Sequence, residues 1–479
     1  MAGFQILSRF WPRRLPAEPA NSSMAALFKP VDNSFLVYFR LIFGAIMLWE
    51  VWRYFTKGWI ARYYIDPTFH FTYFGFEWIT PWPGNGMYIH FAVLGVLAVC
   101  IMAGFWYRAA TALFFMGFTY VFLLDQVQYL NHFYLISLIS FLMIFLPAHR
   151  AFSIDAKRNP ELRSQTTPTW TLWLLRAQLG IAYFFGGVAK LNADWLNGEP
   201  MRMWLSERTD FPLIGSLFTK EWMVYQFVYG GLLFDLLIAP FLLWRRTRLS
   251  ACVAAIAFHL LNDNLFRIGI FPWFMLAATL VFFPPDVPRR IARFLTNGWQ
   301  AKEHSNTDAN PLPDSGSLQT RSRIVALLAI YLAVQLLMPL RHFLYPGNVS
   351  WTEQGHNFSW HMKLRDKNGT AKFFATDPVS QKTWEIKPRR YLSSRQVSKM
   401  SGNPDMILQF SHFLAEDLRK QGHENIEIRV LALASLNGRK SQLLVDPTVN
   451  LAVQERNLLP AAWIMPLVET LQNQPSPSS

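Results

Sequence analysis

Between residues 35 and 345 the chain runs through one long apolar stretch after another. A bilayer core of ~30 Å takes about 20 apolar residues in a helix, and stretches near that length fall at residues 35–55, 87–107, 109–124, 133–148, 170–188, 222–244, 249–266, 268–283 and 324–344. About nine spanning helices are predicted, the seventh and eighth nearly continuous. From residue 346 onward the pattern is that of an ordinary water-soluble domain. The predicted fold class is a polytopic α-helical membrane protein with a C-terminal extracytoplasmic, β-rich α+β domain.

Only 16% of the residues are charged, against roughly 25% in average soluble domains, yet the formal net charge is +14. Basic-aromatic RNA signatures and groove-reading motifs are missing from the sequence, so no nucleic-acid partner is expected. The charge sits between apolar runs instead. Arg9, Arg13, Arg14 and Lys29, then Arg108, then Arg150, Lys157, Arg158 and Arg163, then Arg245, Arg246 and Arg248 mark one set of connections. Arg289, Arg290, Arg293, Lys302, Arg321 and Arg323 complete it, whereas residues 125–132 hold no Lys or Arg. Positive-inside bias then puts the N-terminus in the cytoplasm, and nine crossings put the C-terminal domain outside. The expected division is a cytoplasmic arm over 1–34, a transmembrane domain holding the site over 35–345, and an extracytoplasmic domain over 346–479.

The arm is polar and leads straight into a full-length span, so no cleavable signal peptide is expected. Residues 59–83 are rich in Trp, Tyr and Phe but broken by Pro67 and Pro81, which predicts an outer interfacial segment. Residues 299–321, polar with Pro and Ser, read as a cytoplasmic linker. Cys100 and Cys252 both lie in apolar runs, so the outer domain is expected to hold by its core alone. In that domain residues 351–378 read as strand, Lys367-Asn368-Gly369 turn, strand. Residues 394–421 read as one amphipathic helix with Met406, Leu408, Phe410, Phe413 and Leu414 inward. Residues 426–433 and 441–445 read as strands around an Asn437-Gly438 turn.

Polar side chains in lipid are costly and mark cavities, partners or function. Several converge at one depth, the outer boundary. Asn131 and His132 open the fourth span, Lys190 follows the fifth after Gly186-Gly187, and His259, Asn262 and Asp263 end the seventh. The last three share one helix face at i, i+3 and i+4. Without a clear third protein ligand they read as a helix-end hydrogen-bond cluster, and no metal is expected. Taken singly, Lys190 also fits an interfacial anchor and His132 a helix-start cap. Asp235, inside the sixth span, needs a partner, and Arg176 is the candidate.

These residues carry a resemblance. YFFGGVAKLNADWL (residues 183–196) resembles the lysine signature of the vitamin K-dependent gamma-carboxylase family, YF-x-AGV-x-KL-x-ADW. VFLLDQVQYLNHFYL (121–135) is similar to that family's LLD…NH-x-YL segment, and FRLIFGAIML (39–48) and FHLLNDNLFRIGIF (258–271) to two more. NFSWHMKL (357–364) and LLVDPTVNLAVQE (443–455) extend the likeness into the outer domain. Ala189 stands where the vertebrate enzymes carry a second lysine, no vertebrate-type disulfide is available, and the chain ends well short of those enzymes, so the resemblance is to a bacterial-type homologue.

The resemblance implies a membrane carboxylase, a carbon-carbon lyase that couples oxygenation of a reduced quinone to carboxylation of peptide glutamate. The cofactor is reduced vitamin K (the hydroquinone, with menaquinol an alternative), and O2 and CO2 are co-substrates. A lysine deprotonates the quinol, oxygen adds, and the strongly basic alkoxide that forms takes the glutamyl γ-proton before CO2 is captured. The lysine maps to Lys190, and the histidine assisting the carbanion step to His132, beside Asn131. His259, Asn262, Trp360 and Met362 are candidates for the substrate or quinone pocket. The partners implied are a glutamate-containing peptide and the lipid bilayer. An amine base must be uncharged to accept a proton, and loss of water disfavours the ammonium. Shielding the alkoxide from water needs a roofed site. Removing Lys190, read as an exposed boundary residue, is expected to leave the fold intact. Two other readings stand beside this one: a quinol epoxidase without protein carboxylation, and a non-enzymatic transporter or membrane assembly protein.

Overall fold

Helix formation follows the apolar runs closely. A computed structural model of the chain describes residues 23–266, 268–296 and 317–471. The arm before residue 23 and most of the predicted linker lie outside the described residues, as do Arg9, Arg13, Arg14 and Lys302. All nine apolar segments are helical. We label them α1 (Ser34–Thr56), α2 (Gly86–Ala103), α3 (Tyr107–Leu123), α4 (Asn131–Phe145), α5 (Thr169–Ala189), α7 (Glu221–Leu243), α8 (Arg248–Phe266), α9 (Phe271–Thr279) and α10 (Leu318–Leu340), with the one-turn helix α6 (Ala193–Leu196) between the fifth and sixth.

Six helices among the described residues are long and apolar enough to cross a membrane: α1, α2, α5, α7, α8 and α10 with its 3-10 extension to Leu344. Three shorter ones, Tyr107–Leu123, Asn131–Phe145 and Phe271–Phe282, reach only about 18–26 Å at 1.5 Å per residue. The architecture is that of a multi-pass membrane protein, with six of the nine predicted crossings meeting the length.

The bundle core is aromatic and aliphatic. Phe39 and Phe43 of α1 meet Phe274 of α9 edge-on, and Phe43 also meets Phe114 of α3 at 5.7 Å. Edge-to-face pairs of this kind add to simple area burial. On the basic side, a short antiparallel ribbon joins β1 (Pro30–Asp32) to β2 (Thr166–Pro168), and Arg289 donates two hydrogen bonds to Asp32.

The outer domain is an antiparallel sheet in the order β4-β3-β5-β6, from β3 (Lys367–Thr376), β4 (Thr383–Ile386), β5 (Glu427–Leu436) and β6 (Gln442–Leu443). Along β5 the residues Ile428, Val430, Ala432, Ala434 and Leu436 are buried and alternate with others that are not. This is the period-two pattern of a strand with one covered face. That core also contains Ile407, Phe410 and Leu414.

Two expectations are corrected here. Lys367-Asn368-Gly369 is not a turn; it opens β3 and pairs in register with Ala434–Leu436. Gly369 serves close approach instead, because a Cβ there would lie 2.4 Å from the Ser401 carbonyl oxygen. The single helix predicted over 394–421 is two, α11 (Ser394–Met400) and α12 (Pro404–Lys420). Ser393 and Gln396 form a capping box on the first, and Asn403 caps the second with Pro404 in its first turn. A proline cannot supply the backbone donor an unbroken helix needs.

The aromatic stretch after α1 divides. Trp78 and Trp82 are exposed, whereas Phe71 is fully buried in the outer-domain core, as is Val127 from the segment between α3 and α4. Gln396 donates to Phe69 O, and Arg456 to Thr72 O and Asp405. Loops of the membrane domain are thus built into the outer domain, which fixes it over the helix ends.

Candidate active site

Lys190 is the C-cap of α5, and its backbone N–H closes the last turn onto Gly187 O. Its side chain turns back along its own helix. The amine donates to Gly186 O at 3.2 Å and to Asp235 Oδ2 on α7 at 2.5 Å. Lys190 is 6% exposed and Asp235 5%. The glycines make this possible. A Cβ at Gly187 would stand 2.9 Å from Leu236 N and 2.7 Å from its side chain, and one at Gly186 would stand 3.3 Å from Asp235 Oδ2. Only glycine lets the α7 backbone come that near. An α5 C-terminus, with its unpaired carbonyls, also favours a positive charge beside it.

The predicted pairing of Asp235 with Arg176 is therefore corrected. Arg176 donates to Val281 O and Phe283 O at the end of the Phe271–Phe282 segment. Spacing along one helix sets depth on that helix, but not the vertical stagger between α5 and α7. The expectation of an exposed Lys190 falls with it.

Beneath the amine lies Trp195 of α6. Lys190 Nζ is 5.3 Å from its ring centroid, within cation–π range. The indole N–H donates to Val228 O on α7 at 3.0 Å. Asn192 caps α6 through Trp195 N and also donates to Ala189 O, holding the turn that carries Trp195 against the end of α5.

The outer-domain segment around Trp360 closes over this region. Met362 Cε would touch a Cβ at Gly186, at 2.8 Å. The preceding carbonyl, His361 O, accepts from Asn131 Nδ2 at 3.0 Å. Asn131 Oδ1 in turn accepts from Tyr129 Oη at 3.0 Å, and Tyr129 Oη accepts from Phe358 N at 2.7 Å. Trp360 is 1% exposed, tilts on Tyr134 at 4.9 Å, and its indole N–H has no hydrogen-bond partner among the described residues. Asn131 and the last turn of α5 at Gly186 thus meet adjacent residues of one stretch, His361 and Met362.

His132 stacks on Phe271 at 5.8 Å, and His259 meets the same ring edge-on at 6.0 Å. His259 also shares a 2.7 Å hydrogen bond with Tyr183 Oη, two turns before Lys190 on α5. The contacts from Lys190 to His132 run through α5, Tyr183, His259 and Phe271. Asn262 does not join them; its amide donates to Phe258 O one turn back on its own helix. Among the described residues, no group of three or more His, Cys, Asp or Glu side chains is placed to hold a metal ion.

No local pattern in the sequence marks Asp235 as the lysine's partner, Trp195 as its neighbour, or a histidine cluster on the outer-domain side. His361 lies 4.9 Å from His342 and 5.1 Å from His356, ring to ring. Burial, then the charges of His342, Arg365 and Arg341, pushes His361 down to about 3. Burial and Arg365 also hold His356 well below its usual range. Both are neutral when folded and take a proton when unfolded. Stability is therefore full above pH 6.5 and falls as the pH drops through 6.5 toward 3. At pH 5 the loss from His361 alone is about 2 kcal/mol. Thermal unfolding at pH 7 and pH 5 checks this, and His361→Gln is expected to flatten the difference.

An HTTM domain model matches residues 28–287. A model of the lumenal domain of vitamin K-dependent gamma-carboxylase matches residues 320–470. No solved structure matches the chain. The two matches together take in the helical part with its buried lysine and the domain that follows it, and the chain belongs to the vitamin K-dependent gamma-carboxylase family.

Proposed function

We propose that the protein is a gamma-glutamyl carboxylase that oxygenates a reduced quinone, vitamin K hydroquinone or a menaquinol, to its epoxide and so drives carboxylation of peptide glutamate. The observation carrying this reading is the Lys190 amine, buried at the end of α5 and hydrogen-bonded to Asp235 at 2.5 Å. Such an amine, once uncharged, can take a quinol proton out of contact with water. Asp235 then supplies the counter-charge for the ammonium that results. The quinol, on reacting with oxygen, supplies a base strong enough for the glutamyl γ-proton. The chain's contribution is to place that proton transfer beneath a roof. Met362 meets the α5 end at Gly186 and Trp360 packs on Tyr134 of α4, Asn131 holds the carbonyl between them, and His132 is assigned to the carbanion step.

The topology follows the same reading. The membrane domain spans residues 35–345 with its N-terminal arm cytoplasmic, and the domain after residue 346 stands on the periplasmic or lumenal side. The basic ribbon side, with Arg289 on Asp32, then faces the cytoplasm. A glutamyl peptide reaches the site from water, and the quinol from the membrane.

The test is a liposome assay with quinol, oxygen, labelled CO2 and a short glutamyl peptide. Label fixed together with epoxide is expected. Epoxide without label would replace this reading by a quinol epoxidase, and neither product would leave a non-enzymatic membrane protein.

A further inference from the structure

The outer domain also reaches the lysine motif through a buried carboxylate, Asp194, four residues beyond Lys190. Asp194 of α6 receives three hydrogen bonds from the turn between β5 and β6. Arg439 Nη2 donates to Oδ1 at 2.6 Å, Arg439 Nη1 to Oδ2 at 2.7 Å, and Asn437 Nδ2 to Oδ2 at 2.7 Å. The two ionic side chains are only 7% and 9% exposed. A two-pronged guanidinium grip fixes the carboxylate's plane as well as its distance.

The outer-domain end of the grip is itself held. Asn437 N donates to Asp366 O at 2.8 Å, and Asn437 Oδ1 accepts from Asp366 N at 2.8 Å. Asn437 and Gly438 both adopt positive φ, 52° and 79°, the backbone of a tight Asn-Gly hairpin turn. At the other end, the residue after Asp194 is Trp195, whose ring lies under the amine and whose indole is pinned to Val228 O. Two adjacent residues on one turn of helix thus connect the outer domain to the surroundings of the lysine.

A pair this well buried returns in attraction about what it costs in lost hydration, so net stability is a poor account of it. Its geometry fits registration instead. We infer that Arg439 and Asn437 are positioning residues for Lys190, acting through Asp194 and Trp195, and that the outer domain is part of the lysine's scaffold as well as its cover. What Lys190 does is taken from the proposed function; the grip on its surroundings is a separate claim.

The experiment compares the full-length wild type with Arg439→Gln and with the double variant Asp194→Asn/Arg439→Gln. The single change strands a buried charge, whereas the double replaces an ion pair by two neutral amides of similar size. Three quantities are read: unfolding temperature, kcat and KM for quinol epoxidation, and the rate at which a small amine reagent labels Lys190, followed by peptide mass spectrometry. The double variant is expected to unfold near the wild-type temperature. Its kcat should still be about tenfold or more lower, with KM for quinol within about threefold, because small misplacements of a reacting group are costly in rate. Lys190 labelling should rise severalfold. Recovery of both kcat and labelling to wild-type levels along with stability would overturn the inference. Should the double variant not fold, Arg439→Lys keeps the charge pair and loses the fork, and the same comparison decides. A wild type that makes no epoxide would sink the proposed function while the labelling comparison still judges the grip.

Discussion

Replacing Lys190 by methionine is expected to abolish epoxide formation and glutamyl carboxylation and to lower the unfolding temperature as well. Methionine keeps most of the side chain's bulk, so the change isolates the amine. Loss of a positioned base removes roughly 10²–10⁴ in rate. The stability effect comes from the partner. Asp235 is buried and accepts from Lys190 at 2.5 Å, so removing one member of the pair costs about 3–5 kcal/mol if the other stays charged. Chromatography of the quinone products and calorimetric unfolding of the same preparation check both halves. An exposed boundary lysine would have predicted lost activity with an unchanged melting temperature; the buried pair predicts that both fall.

His132→Ala is expected to separate the two half-reactions, lowering carboxylation by about tenfold to a hundredfold more than quinol turnover. His132 packs against Phe271, which His259 also meets. Loss of the ring alone could disturb that stack, so His132→Phe is the matching control: it restores an aromatic surface without a titratable nitrogen. If both variants lose carboxylation and keep epoxide formation, the imidazole acts after quinol chemistry. Equal losses of the two products would argue against a carbanion-step role.

How much of this was legible in the sequence depends on the range of the interactions concerned. Apolar length alone located the nine helical segments, because in lipid each must satisfy its own backbone. The strand pattern of β5 and the Asn437-Gly438 turn were legible for the same local reason. The Lys367-Asn368-Gly369 motif misled because its glycine answers to Ser401, distant in sequence, and not to its own turn. The break between α11 and α12 was signalled by Gly402 and Pro404, but the apolar periodicity carried across it. At the site, the polar residues at the helix ends could be gathered by depth; in the fold Asn131 holds His361 O, and Gly186, one turn before Lys190, lies against Met362. What could not be read was stagger. The Asp235–Lys190 pair depends on how far α7 slides along α5, which Gly186 and Gly187 permit but no local pattern announces. The Asp194–Arg439 grip joins residues 245 positions apart, and only the folded chain brings them together.

The role of the Lys190 amine as base is tested by removing that amine without stranding a charge. In the double variant Lys190→Met/Asp235→Asn the buried pair is replaced by neutral side chains of similar volume, which is close to neutral for stability. Quinol epoxide formation by this variant is then measured in liposomes beside the wild type. The expected result is a protein that unfolds near the wild-type temperature and forms no epoxide above the uncatalysed background. Epoxide formed at a rate near that of the wild type would contradict it.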